Sequence, residues 1–181
     1  MNKTFLAFFG TMFALMFLII LISINVATQV EDIDEKLKYL PPQTKAAEIP
    51  AESVVAGQMV YVPVYSHIYA KGGKPFLLET TLSVRNSDPN ENISIATVRY
   101  YDTNGNLIKD YLDKPLLLKS LATAEFLVAQ KEIEGGSGAN FIVEWISDTM
   151  VNKPVIEAVM VGTEGQTSIS FVRTGVAIEK Q

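Results

Sequence analysis

Glu144 and Glu157 each interrupt an apolar, strand-like run, IVEWI and VIEAV. Two carboxylates that meet in a cleft can divide general acid and general base work, which is the basis of a hydrolase-like reading. Arg85 and Arg99 offer them a plainer role as cross-strand ion pairs on solvated sheet faces, worth roughly a few tenths of a kcal/mol each. His67 is the single histidine among 181 residues, so neither a histidine metal cluster nor a two-histidine relay can form. A triad through His67 would need a remote serine and acid with no local signature, because the adjacent Ser66 falls on the opposite face of the strand.

Three further groups carry weaker signals. Asp102, Asn104 and Asn106 alternate oxygen ligands as a calcium loop begins, yet Gly105 stands where no EF-hand has glycine and the closing glutamate is missing. A hairpin turn accounts for them without metal. Gly135, Gly136, Ser137 and Gly138 lack the glycine a nucleophile elbow needs at Ala139 and the lysine that follows a phosphate loop, so a mobile inter-strand loop is expected. Tyr61, Tyr65, His67 and Tyr69 share one strand face and present rings with polar tips, which suits either partner binding or the half-buried side of an edge strand. Asn92, Ile93 and Ser94 form a glycosylation acceptor that has meaning only in a eukaryotic secretory path. No residue pattern calls for a cofactor.

The elements that would hold these groups are strands. From Gly57 onward the apolar residues recur with period two, the signature of half-buried strands. Met59–Tyr69 places Val60, Val62, Val64 and Ile68 on one side, and Pro63, lacking a donor, points to an edge or a bulge. Phe76 to Val84 forms the next set, closed by the turn residues Asn86 to Pro89. Ile93–Tyr101 and Leu107–Leu112 flank Asn104 and Gly105, a strong hairpin signal. Further strands are expected at Thr123–Ala129, Ala139–Ser147, Val155–Val161 and Ser168–Val172. Eight strands at this spacing predict an all-β antiparallel sandwich, with a barrel as the less favoured closure. Its core would hold the even-numbered valines of the first strand with Phe126, Val128 and Trp145.

Ahead of this lies an apolar run, Phe5 to Ile24, long enough to cross about 30 Å of hydrocarbon. It exceeds the roughly 7–15 apolar residues of a cleaved signal peptide and is followed by a poor cleavage site, so a retained signal anchor is expected over a cleaved one. It is apolar all round, unlike an amphipathic core helix. Lys3 precedes it and Glu31, Asp32, Asp34 and Glu35 follow, an asymmetry that places the remainder outside a single-pass cell membrane, facing the periplasm or the cell exterior. The organisation is an anchor at 1–27, a stalk at 28–56 with Pro41 and Pro42 ending any helix, and a β domain at 57–181. The absence of cysteine excludes disulfides, thiolate metal sites and an N-terminal lipidated cysteine. The net charge of −5 becomes −6 once Lys3 is set aside with the anchor, which argues against a nucleic-acid partner.

Four blocks, YVPVYSHIY at 61–69, YYDTNGNLIKDYL at 100–112, GGSGANFIVEW at 135–145 and EAVMVGT at 157–163, occur in an order that resembles a bacterial domain-of-unknown-function family of membrane-anchored envelope proteins (DUF3124-like). The resemblance implies an envelope location and transfers no functional residue. More loosely, Val84-Arg85-Asn86 followed by Tyr100-Tyr101-Asp102 is similar to immunoglobulin-like sandwiches, which implies an immunoglobulin-like fold and no particular function. The expected role is a non-enzymatic binding or scaffolding module contacting another envelope protein through Tyr61, Tyr65, His67 and Tyr69. The alternatives are a carboxylate-based hydrolase and a purely structural envelope stabiliser.

Overall fold

A computed structural model of the chain describes residues 3–42, 50 and 53–179. It divides into two compact units, Met1–Leu40 and Pro41–Gln181. The first is one helix, α1, Lys3–Leu37, whose 35 residues extend for about 52 Å at 1.5 Å per residue. Its segment Met12–Leu37 has a mean hydropathy of 2.2 over its most apolar window and is long and apolar enough to cross a membrane. The helix outlasts the apolar run. Thr28–Leu37, the first part of the expected stalk, continues α1 without a break, and helix ends ahead of Pro41 and Pro42. Residues 43–49 and 51–52 of the expected stalk lie outside the described residues.

The second unit is built from strands β1 (Ala56–Pro63), β2 (His67–Ala70), β3 (Lys74–Leu77), β4 (Glu79–Arg85), β5 (Ile93–Tyr101), β6 (Leu107–Asp110), β7 (Leu116–Leu118), β8 (Thr123–Val128), β9 (Asn140–Ser147), β10 (Val155–Glu164), β11 (Thr167–Thr174) and β12 (Val176–Ala177). One sheet runs β12-β1-β9-β5-β6, with β7 also on β5; the second runs β11-β10-β4-β8; β2 and β3 form a separate hairpin. Every pairing is antiparallel. The two sheets enclose a single core, so the antiparallel sandwich expected from the period-two pattern is the observed fold. Val60, Val62, Phe141, Val143 and Trp145 come from the first sheet and Leu82, Val84, Phe126, Val128, Ile156, Ala158 and Met160 from the second. Fully burying a side chain such as Phe126 or Phe141 stabilises the fold by about 1.5–3 kcal/mol.

Local chemistry explains where the strands bend. The expected single strand Met59–Tyr69 is two, because the chain turns at Val64–Ser66 and its ladder passes to new partners: Ser66 N–H donates to Gly136 O and Ser66 O accepts from Leu78 N–H. The inward parity survives the bend, with Val60, Val62, Val64 and Ser66 all buried. In β5 the inward parity changes from Ile93 and Ile95 to Val98 and Tyr100, and the register to β9 shifts between Ile95 and Thr97, the mark of a β-bulge. Pro63 pairs with Asn140, but its nitrogen faces the β12 side, where pairing stops at Tyr61, so the missing donor breaks no ladder bond.

Gly175 carries the chain from the edge of one sheet, β11, to the edge of the other, β12. A Cβ there would lie 2.5 Å from Val60 Cγ1 and 3.0 Å from Val62 Cγ2, so only glycine lets the strand cross this closely. The turn expected at 86–89 is present and tightly knotted. Asn86 Nδ2 donates to Glu91 O at 2.8 Å, and the Asp88 carboxylate accepts from the amides of Asn90, Glu91 and Asn152.

Candidate functional site

The two glutamates do not meet. Glu144 lies on β9 between the buried Val143 and Trp145, and Glu157 lies on β10 between the buried Ile156 and Ala158. Since β9 and β10 belong to opposed sheets, the alternation of strand side chains sends the carboxylates to opposite outer faces of the sandwich. Glu157 lies 3.6 Å from Arg85, the cross-strand pairing expected of it. Arg99 turns instead to Asp110, at 3.2 Å, and leaves Glu144. The convergence a carboxylate-based site requires is absent from this geometry. His67 packs its ring edge-on against Tyr69, with centroids 5.1 Å apart.

Asp102 holds its own turn. One oxygen accepts from the amides of Asn104 and Asn106 and the other from Asn106 Nδ2 at 2.9 Å. The Asn106 side-chain amide, followed by the backbone amides, draws the Asp102 pKa below its ordinary 3.8. Among the described residues, no three or more His, Asp or Glu side chains cluster closely enough to hold a metal ion.

The loop 135–138 is pinned, in contrast to the mobile loop expected. Gly135 O accepts from both the amide and the hydroxyl of Thr103, Gly138 N–H donates to Thr103 Oγ1, and Gly136 O accepts from Ser66. Beneath it Ser66 Oγ and Tyr100 Oη share a buried hydrogen bond of 3.0 Å. A Cβ on Gly135 would collide with Tyr100 Oη. Burial raises the Tyr100 pKa above its ordinary 10. Three of the four sequence blocks quoted above meet at this corner, through Ser66, Tyr100 with Thr103, and Gly135 with Gly138. Its groups are closed over by backbone and satisfied by one another, so the corner reads as a structural clasp.

The aromatic stripe is bent along with its strand. Tyr61 is exposed on the outer face of β1, Tyr65 sits in the bend with its ring edge-on to Phe171 of β11 at 5.8 Å, and His67 and Tyr69 ride on the β2–β3 hairpin. The four residues therefore belong to three local environments. Around Tyr61 lies a surface that the period-two reading did not assemble. Tyr61 pairs in register with Ile142 on one side and Val176 on the other, and Ile178 N–H bonds Met59 O in the next step of that ladder. Met59, Tyr61, Val176 and Ile178 are exposed by 42, 38, 64 and 43%, side by side on β1 and the β12 segment. Met59 and Tyr61 were legible as outward residues from their parity. Val176 and Ile178 were not, because two residues of strand carry no periodicity. A groove of about 300 Å³ opens where β12 leaves β11, lined by Gln58, Val60, Lys153, Ile156, Thr174 and Gly175 among others.

An antiparallel β-sandwich of four- and six-stranded sheets, in a chain with one apolar N-terminal helix, is the class of protein these features define. Comparison with family models places the chain within it more narrowly. It belongs to the family described as "Protein of unknown function (DUF3124)", whose model matches residues 57–178, nearly the whole sandwich. No curated protein matches the chain. Among solved structures, one titled "Crystal Structure of Thermotoga maritima 1070" is similar at 7% sequence identity and a TM-score of 0.42, covering 68% of this chain and 97% of that one.

Proposed function

We propose that the protein is a non-enzymatic binding or scaffolding module of the bacterial envelope, anchored through residues 5–24 with its sandwich facing the periplasm or the cell exterior. It engages a protein partner through the outer face of β12 and β1. The observation that carries this reading is the row of exposed apolar side chains Met59, Tyr61, Val176 and Ile178 on adjacent strands, since contiguous apolar surface on a soluble domain marks an interaction site. Tyr61 supplies the ring with a polar tip that suits a partly wet interface. The anchor reading rests on the length of α1 and on Lys3 preceding an acidic flank. The acidic balance of the exported part favours a protein partner over nucleic acid or anionic lipid.

The test places a photo-crosslinking residue at Tyr61 in the full chain in cells, with Thr81 on the opposite sheet as control. A discrete adduct at Tyr61, absent at Thr81 and lost with Met59→Lys, is expected. Equal capture at both positions, or none at Tyr61 with the fold intact by near-ultraviolet circular dichroism, would overturn the face assignment. Protease added to intact spheroplasts checks orientation: cleavage within the sandwich is expected, and full protection would reverse it.

A further inference from the structure

Beyond Ile24 the apolar residues of α1 do not stop; they withdraw to one stripe. From Asn25 to Leu37 the large apolar residues are Val26, Val30, Ile33 and Leu37, spaced by four, three and four. That is the alternation of the two seam positions of a heptad, with seven residues per two turns. Followed back into the apolar run, the same spacing passes through Ser23, Ile19, Met16 and Met12, so the stripe extends the span without changing face. Every residue of it is exposed, with Val26, Val30 and Ile33 at 53, 51 and 53% and Leu37 at 78%. On a helix lying in water, four large apolar side chains on one line call for a partner.

We propose that a second copy of this chain covers the stripe, the two α1 helices packing in parallel along Val26, Val30, Ile33 and Leu37. The flanking charges fit self-pairing. Glu31, Asp32 and Glu35 occupy the positions farthest from the seam, where like charges on the two copies stay apart. The positions bordering the seam hold Ala27, Gln29, Asp34 and Lys36. In a parallel pair the border residue at 29 faces the border residue five positions on in the other copy, which sets the Gln29 amide against the Asp34 carboxylate. Lys36 is held to Asp32 of its own helix at 2.5 Å, on the outward side. Just inside the span, Ser23 puts a small polar residue on the seam, the kind that lets membrane helices approach closely.

Length decides how this works. From Val26 to Leu37 is about 16 Å, less than two full heptads, and isolated helices shorter than ~12–15 residues are marginal in water. The segment would not pair in free solution. Insertion in one orientation makes the helices parallel, and confinement to the bilayer raises their effective concentration. The inference therefore rests on the anchoring reading above.

The chain has no cysteine, so single cysteines can be placed without background. Full-length chains carrying one cysteine each at Val26, Gln29, Val30, Asp32, Ile33, Glu35 or Leu37 are oxidised with copper phenanthroline in isolated membranes. Disulfide-linked self-dimers at 26, 30, 33 and 37 are expected to exceed those at 32 and 35 severalfold. Adding Ile33→Asp to Val26→Cys should abolish its dimer while the chain stays in alkaline-washed membranes. Retention in those membranes with a flat profile, or with maxima at 32 and 35, would overturn the pairing and leave the anchor standing. Loss of the chain from alkaline-washed membranes overturns the anchoring, and the pairing with it. An adduct to a different protein at the stripe positions assigns the face to that partner and rejects the second copy.

Discussion

Two glycine-bearing loops, 102–106 and 135–138, look alike as interruptions between strands, and the structure uses Gly105 of the first and Gly135 of the second for opposite reasons. Gly105 has φ +83° and nothing within 4 Å of the Cβ it lacks, so it is needed for backbone conformation alone. Gly135 has an ordinary helical φ of −62° and is needed for space, because Tyr100 Oη and Ser66 Oγ occupy the position of its Cβ. The first loop holds itself together through Asp102; the second is held by residues from two distant parts of the chain. A turn that supplies its own hydrogen bonds can be read from five residues, whereas a clasp needs the fold.

Mutations should separate the two. Gly135→Ala has the largest expected effect, a loss of about 3 kcal/mol from overpacking a closed corner, read as the urea midpoint followed by fluorescence of Trp145, the only tryptophan. Tyr100→Phe alone should cost about 1 kcal/mol by leaving Ser66 Oγ unpaired. Combined with Gly135→Ala it should recover about 1 kcal/mol relative to the sum, since the atom in the way has gone; strict additivity would show that Gly135 is not held by Tyr100. Gly105→Ala should cost roughly 1–2 kcal/mol, the penalty for a side chain in the left-handed region, with no coupling to Tyr100.

The smallest effect is a pH dependence. Asp102 and Asp88 have folded pKa values below the ordinary 3.8, Asp102 through Asn106 and Asp88 through the Asn152 amide and those of Asn90 and Glu91. Folding therefore favours their charged forms. Their contribution is complete above the ordinary carboxylate value and is lost as pH falls through the depressed one. The urea midpoint should stay level on this account from about pH 5 to 7 and drop below about pH 4. Asp102→Asn should lower the midpoint at neutral pH and reduce the acid drop; an unchanged acid limb would remove Asp102 from the explanation.

The sandwich, the Asn104-Gly105 hairpin and the inward valines of β1 were legible because each depends on local alternation or turn chemistry. The division of Met59–Tyr69 into β1 and β2 was not, since the buried parity runs unbroken through Ser66 while the partners change. β7 and β12 were missed for being three and two residues long. The aromatic stripe was legible as a strand face and illegible as a surface, because what surrounds Tyr61 comes from β9 and the C-terminal segment. The separation of Glu144 and Glu157 depends on which sheet each strand joins, information that alternation does not carry.

The strand switch at Gly175 also sets a schedule. β1 is the first strand made, yet its partners are β9, which begins at Asn140, and β12, which ends at Ala177. Pairing at such separation closes large loops and belongs to the slow end of domain folding, milliseconds to seconds. β1 stays unpaired until β9 has appeared more than seventy residues later in the sequence, and its other edge is covered only when β12 follows β10 and β11.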